Sequence, residues 1–345
     1  MARLPEAQWD AGLRAATSEL LSAATDRSAR IPPAAAATAA ARVGFPGQAR
    51  FARQLNGGAF PEALLEDVYA SQRGHPLDVA ISRRDYGDGM ALWVLGWAPH
   101  VVDLDPLPAL LALDDQLAVR IDTEDDASSR LFIAPPDGTV EELHIKPGVS
   151  RWLDRFHVPG EYRLEVIVGE HVRSEVGLLF SVYVDRPAPE MPRLSAQPLP
   201  PPDPAAAERT LYAALQALRA ERGLRPVERF PLFEPVAREH AALMAAHGAV
   251  RHRIPGVTEG VPTRARRLSR PAARHEESVA AAASAEEAMQ LIASSPAHIR
   301  SLLCEDCTHA AIGVALEPTL EHTPRLFVTW ELLAFPQGPP QPFYP

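Results

Sequence analysis

Two imidazoles and a carboxylate in the last third of this 345-residue chain could do chemistry together. His252 stands in Ala-Val-Arg-His-Arg-Ile-Pro-Gly, Glu277 in His-Glu-Glu-Ser-Val-Ala, and His298 in Ser-Ser-Pro-Ala-His-Ile-Arg-Ser-Leu-Leu. Gathered in one cleft, such a set can hold a divalent metal, zinc first among them, or poise a water molecule. Ser295 and Pro296 are a capping residue and a first-turn proline, so His298 belongs just inside a helix start. The positive end of a helix disfavours imidazolium, which leaves the ring neutral with a lone pair to offer. Each residue also has a plain structural reading. His298 could merely hydrogen-bond across its module, His252 could sit on an ordinary surface loop, and Glu276–Glu277 could be a solvated acidic pair. The run from His275 to Val279 approaches the zinc-protease helix motif. Val279 stands where the second histidine is required, which excludes that mechanism.

Other reactive groups nearby carry less. Cys304 and Cys307 are the only cysteines, with His309 two residues on. One Cys-x-x-Cys pair is half of a structural zinc site. A local disulfide, two free thiols, or metal and redox chemistry are its three readings, and a disulfide would suit an exported protein. Arg264, Arg266, Arg267, Arg270 and Arg274 cluster between His252 and Glu277. They could gather an anionic ligand such as a lipid head group or cell-wall polymer, although a solvated loop is the commoner meaning of such a cluster. No nucleophile elbow, phosphate loop or dinucleotide fingerprint occurs in the chain.

The elements that must position these residues have their own signals. Asp203-Pro204 is a helix start, Leu211, Leu215 and Leu218 make a buried stripe, and Gly223 ends it. A second helix rich in Ala and Leu ends near Gly248. Ala310 to Leu316 and Leu326 to Phe335 then read as strands.

This ordered series resembles the CAP superfamily, named for cysteine-rich secretory proteins, antigen 5 and pathogenesis-related-1 proteins, in its bacterial SCP-like form. Leu215 to Val227 follows the family's opening Leu-Asn-x-x-Arg-x-x-x-Gly-Leu-x-Pro-Leu, and Ala237, His240 and Met244 follow its Ala-x-x-His-x-x-x-Met. His252 falls at the first cleft histidine, Glu277 to Ala280 on Gly-Glu-Asn-Val-Ala, and Ser295 to His298 on Ser-Pro-Gly-His. The resemblance covers residues 208–336. Glu276, Ala297 and Ala311 replace family glycines and Ser278 replaces the asparagine, so whatever that asparagine does in the cleft lacks its residue here. The resemblance implies a small, mostly antiparallel sheet between helical layers. It also implies a role in binding sterols, lipids or other partners, because enzymatic activity is established for few members. Non-catalytic binding of a lipid, cell-envelope component or protein is therefore the first expectation. A hydrolase in which His252 and His298 hold zinc and Glu277 is the general base is the second, and a structural surface or adhesion protein is the third.

Composition bounds the remainder. At 345 residues the chain is long for one domain, and 46% hydrophobic residues suffice for real cores. A net charge of −10 argues against nucleic acid or an anionic membrane as the main partner. Lys146 is the sole lysine, and with 35 prolines and abundant alanine this points to a GC-rich bacterial genome. No run approaches the roughly 20 apolar residues needed to span a bilayer. The opening residues lack an apolar signal core. Because the resemblance implies export to the envelope or beyond, the expectation is a removed leader, with retention inside the cell as the alternative.

The whole chain reads as α+β and multidomain. Residues 1–100 read as a mainly helical lobe, with a stripe of Trp9, Leu13, Leu20 and Ala24, a second over Pro61 to Gln72, and a closing strand from Met90 to Trp97. Its order echoes the C-terminal module, so a degenerate copy is one reading. Residues 101–187 alternate in short strands, as in Leu117 to Ile121 and Tyr162 to Val166, with turns at Pro135 to Gly138 and Pro159 to Glu161. That pattern suggests an immunoglobulin-like antiparallel β-sandwich acting as a spacer. Residues 188–207 form a proline-rich linker, 208–336 the α-β-α CAP sandwich, and 337–345 a proline-rich tail.

Overall fold

The computed structural model describes residues 7–59, 62–71, 76–123, 128–169, 174–196, 199, 202–254, 256, 264, 272–318 and 324–339. Pro61, Gln72, Pro198, Pro200, Pro201, Arg266, Arg267, Arg270 and the tail from 340 lie outside them. The chain is α+β and divides into two compact units, residues 1–198 and 199–345. Among the described residues no helix is long and apolar enough to cross a membrane.

The first unit opens with β1 (Ala7–Trp9), α1 (Ala11–Ala23), α2 (Pro33–Val43), β2 (Arg50–Asn56), α3 (Glu62–Ser71), β3 (Leu77–Asp85) and β4 (Ala91–Pro99). Asp10 starts α1, its carboxylate accepting from the Leu13 N–H at 2.6 Å. Leu13, Leu20 and Ala24 are buried as the helical stripe requires, whereas Trp9 is 68% exposed on β1. The cap at Asp10 separates Trp9 from the helix, which corrects its place in the stripe. The lobe is also more β-rich than its periodicity suggests, because four strands run in the order β1-β3-β4-β2. In β3 the buried Leu77, Val79 and Ala80 give way to the polar run Ser82 to Asp85, and in β2 Arg50, Arg53, Gln54 and Asn56 dilute the apolar signal, so neither strand shows clear alternation.

The rest of this unit is short strands: β5 (Asp103–Leu104), β6 (Leu110–Leu111), β7 (Leu117–Val119), β8 (Ile121–Asp122), β9 (Ser129–Ala134), β10 (Glu141–Ile145), β11 (Arg151–Leu153), β12 (Gly160–Val168) and β13 (Glu175–Val184). Five make a sheet in the order β10-β9-β12-β13-β6, in which β6 runs parallel to β13, and β11-β7 and β5-β8 form two short ladders. Leu131, Ile133, Leu164, Val166, Phe180 and Val182 share one core here. The proline-rich stretch beyond begins packed. Leu194 is buried against Ala16, Leu20 and Val94, and its carbonyl accepts from the Thr25 N–H at 2.8 Å.

The second unit runs α4 (Pro204–Glu221), β14 (Glu228–Arg229), α5 (Glu234–His247), β15 (Arg274–Ala282), α6 (Ala285–Ser294), α7 (Pro296–Leu302), β16 (His309–Leu316) and β17 (Leu326–Ala334). Asp203 caps α4 with Pro204 in its first turn, and Gly248 ends α5 in the left-handed conformation at φ 62°. The sheet order is β14-β16-β17-β15, with β14 parallel to β16 and the other pairs antiparallel. That repeats the first unit, where β1 is parallel to β3 and the remaining pairs are antiparallel. Leu211, Leu215, Ala288 and Ile292 from α4 and α6 pack on Ile312, Val328 and Trp330, one face of the sheet. Met244 and Ala245 of α5 lie with Val279 and Phe327 on the other. Cys304 and Cys307 are joined by a disulfide, and the buried Arg219 of α4 donates to the carbonyls of Leu302 and Cys304 at 2.9 and 3.0 Å. Those bonds fix the end of α7.

One contact sets the spacing between α5 and the sheet. A Cβ on Gly313 would fall 2.2 Å from the carbonyl carbon of Ala237 and from the amide nitrogen of Arg238. Backbone meets strand there, and only glycine fits. Gly313→Ala is expected to cost about 3 kcal/mol in urea unfolding, the range of a strongly overpacked core. A loss below about 0.5 kcal/mol, typical of a harmless surface change, would contradict this close approach.

Candidate functional site

The site grows from β15. Glu277 lies opposite Glu331 of β17 in register, on the face that α5 covers. Two carboxylates side by side in a sheet interior need compensating charge, since an unpaired buried charge costs several kcal/mol. Glu277 is 8% exposed and Glu331 fully buried. Arg264, itself 3% exposed, ion-pairs with Glu277 Oε2 and places its Nε 3.8 Å from Glu331 Oε1. His252 Nδ1 lies 2.8 Å from Glu277 Oε1, and His275 Nε2 lies 2.6 Å from Glu331 Oε2. Both oxygens of Glu277 are thus engaged.

His252 reaches this position from the loop after α5. That loop is held twice: His240 Nε2 donates to the Arg251 carbonyl at 3.0 Å, and Arg264 donates to the His252 carbonyl at 3.2 Å. His298 comes from α7, where Ser295 caps the helix and its Oγ meets His298 Nδ1 at 2.8 Å. The two imidazole rings lie 6.3 Å apart between centroids, inclined at 32°. Their Nδ1 atoms are occupied by Glu277 and Ser295, so any further ligand would meet them at Nε2. The structure therefore brings His252, Glu277 and His298 together. Among the described residues no group of three His, Cys, Asp or Glu side chains is arranged to hold a metal ion.

Electrostatics follow from burial and partners. Burial works against ionisation of Glu277, but the His252 hydrogen bond and the charges of His252, Arg264 and His240 hold it below the usual carboxylate range. Glu331 shifts the opposite way. Burial and the adjacent Glu277 charge raise it, against the pull of His275. Burial also opposes a charge on His275, yet the bond to Glu331 keeps its pKa above the ordinary value. His298 is pushed down to about 4 by burial and by His252, and His240 to about 4, mainly by burial.

The neighbouring candidates separate as follows. Glu276 points to the other face, bonded to Arg274 Nε at 2.8 Å and to the Ser301 hydroxyl at 3.2 Å. Arg264 is no solvated loop residue; it is the buried counter-ion of Glu277. Cys304 and Cys307 take no part in the cluster. Glu331 and His275 complete the cluster without a motif to mark them. A lone glutamate in the apolar run Phe-Val-Thr-Trp-Glu-Leu-Leu was the signal that could have found the first.

The histidine shift has a measurable consequence. An unfolded histidine protonates near 6.5 and His298 in the folded chain near 4, so between those values the unfolded state binds more protons. The His298 contribution is then fully present above pH 6.5 and declines as the pH falls toward 4. In an NMR titration, His298 is expected to titrate near pH 4, and His252→Ala to move it upward by removing a neighbouring positive charge. A midpoint near 6.5 in the unaltered protein would contradict this environment.

No family model matches this chain, and no curated protein matches it in sequence. Among solved structures it is similar to an outer surface protein of Borrelia burgdorferi, at 20% identity and TM-score 0.34, over 39% of this chain and 97% of that one. It is similar to an extracellular protein containing an SCP domain from Bacillus anthracis strain Ames, at 15% identity and TM-score 0.34, over 68% and 86% of the two chains. It is also similar to a cysteine-rich secretory protein of Staphylococcus aureus Mu50, at 9% identity and TM-score 0.32, over 64% and 81%. At these identities and scores no residue role passes from them to this chain.

Proposed function

We propose that this chain is an exported binding protein of the cell surface or envelope. In this reading residues 208–336 are a CAP-type module and the strands of 101–187 are an immunoglobulin-like spacer. The cleft between the α5 loop, β15 and α7 takes a lipid, cell-envelope component or protein partner. His252 and His298 would meet that ligand through Nε2, and Glu277 would hold His252 in place. The observation that supports binding over catalysis is the engagement of Glu277 at both oxygens, by His252 and Arg264. A general base needs a free lone pair and a pKa near the working pH. A carboxylate gripped this way and held low has neither.

The competing reading is a zinc-dependent hydrolase. It draws on one feature: a carboxylate behind an imidazole Nδ1 is the arrangement that orients a histidine for metal at its other nitrogen. His252 and His298 would hold the ion, which could polarise a carbonyl or activate water. The protein would still have to release Glu277 from Arg264 before it could act as a base. A purely structural surface role is the third reading.

Metal analysis of protein purified without a polyhistidine tag separates the first two. The binding reading expects zinc well below one per chain and no hydrolysis of activated esters above background. One zinc per chain, lost in both His252→Ala and His298→Ala together with a hydrolytic activity, would overturn it.

A further inference from the structure

Among the described residues, part of a sheet edge in the first unit has no strand paired to it. At the β3–β4 hairpin the Tyr86 N–H donates to the Met90 carbonyl, and on the opposite side of β3 the Val79 carbonyl accepts from the Asp10 N–H. Alternation along an antiparallel strand then turns the N–H and C=O of Ile81 and Arg83 toward that outer side. β1 covers the edge only at Leu77–Val79. Among the described residues no strand pairs with positions 80–85 there.

A groove of about 400 Å³ follows this edge between α1 and β3. Arg14 and Ser18 line it from α1, and Ile81, Ser82, Arg83 and Arg84 from β3; its lining holds three arginines and no carboxylate. Arg84 donates to the carbonyls of Leu21 and Ala24, which keeps its charge fixed beside the groove. Arg83 pairs with Asp85, and among the described residues no carboxylate pairs with Arg14. On a chain of net charge −10, a groove whose charged lining residues are all arginines favours an anionic partner.

The second unit shows how the same edge is satisfied when it is covered. β16 holds the place in its sheet that β3 holds in the first. Beyond the short cover of β14, the Val314 N–H donates to Glu208 Oε1 of α4 at 3.3 Å. Arg238 of α5 grips that carboxylate at 2.7 and 2.6 Å. A carboxylate on the outward N–H and an arginine from the adjoining helix complete the edge.

We propose that positions 80–85 of the first unit dock an acidic partner peptide, added as a strand along β3 with its carboxylates in the arginine-lined groove. Backbone pairing would supply affinity and the arginines the preference for acidic side chains. An uncovered edge is otherwise a liability that proteins seldom leave unmanaged.

The test is fluorescence anisotropy on the whole chain, with a labelled peptide alternating glutamate and valine and a lysine-for-glutamate control. Saturable binding of the glutamate peptide, weakening with salt, is expected, with none for the lysine peptide. Arg14→Glu should weaken binding by about tenfold, the effect of one well-placed charge. Ile81→Pro removes an outward N–H, which an edge strand tolerates, and should abolish binding. Arg14 is exposed on α1, so its variant gives an answer even if the proline variant fails to fold. Absence of saturable binding, equal binding of the lysine peptide, or unchanged affinity in Arg14→Glu would overturn the proposal. So would displacement by free glutamate at the peptide's own concentration, which would indicate an anion pocket without strand addition.

Discussion

A carboxylate pair inside a sheet governs the second unit. Glu277 and Glu331 face each other across two strands with almost no access to water, and the interior offers no solvent to screen them. The surrounding residues can be understood as answers to that demand. Arg264 lies between the acids, His252 takes the remaining oxygen of one and His275 an oxygen of the other. His240 then pins the loop that carries His252. With both oxygens engaged by His252 and Arg264, Glu277 is committed to structure, and that commitment is what supports the proposed binding reading over the hydrolase.

Packing explains why the arrangement can be held firmly. α5 touches the sheet backbone at Gly313, so the helix carrying His240 and leading into the His252 loop has little room to shift. On the far side, Arg219 and the Cys304–Cys307 disulfide fix the segment that ends α7, whose first turn carries His298. The two sheets share one strand order, and among the described residues a carboxylate caps the long edge strand in the second unit alone. The same strand order thus carries a buried polar site in one unit and, in the other, an edge beside three arginines that no described strand pairs.

Much of this was legible in the residues and some was not. Asp203-Pro204 and Ser295-Pro296 announced their helices because caps and first-turn prolines act locally. His252, Glu277 and His298 were found through the order of motifs, since no local rule brings a loop, a strand and a short helix together. Arg264 was hidden for a physical reason: an arginine among arginines reads as solvated, and only the fold reveals which one has a buried partner. β2 and β3 are hard to read from sequence because strand signals depend on apolar alternation, which the polar residues of β2 and the polar second half of β3 break. Trp9 falls in the helical period of α1 yet lies outside the helix, because periodicity alone does not register that Asp10 caps its start.

The most direct test of this account is a double-mutant cycle between Arg264 and Glu277, read by urea unfolding at neutral pH. Arg264→Met or Glu277→Gln alone should each cost about 3 kcal/mol by leaving a buried partner unpaired. The double variant should cost less than their sum by about 2 kcal/mol, the coupling of groups in one buried network. Additivity within about 0.5 kcal/mol would show that the two do not compensate each other, and would remove the basis for treating Glu277 as a committed structural carboxylate.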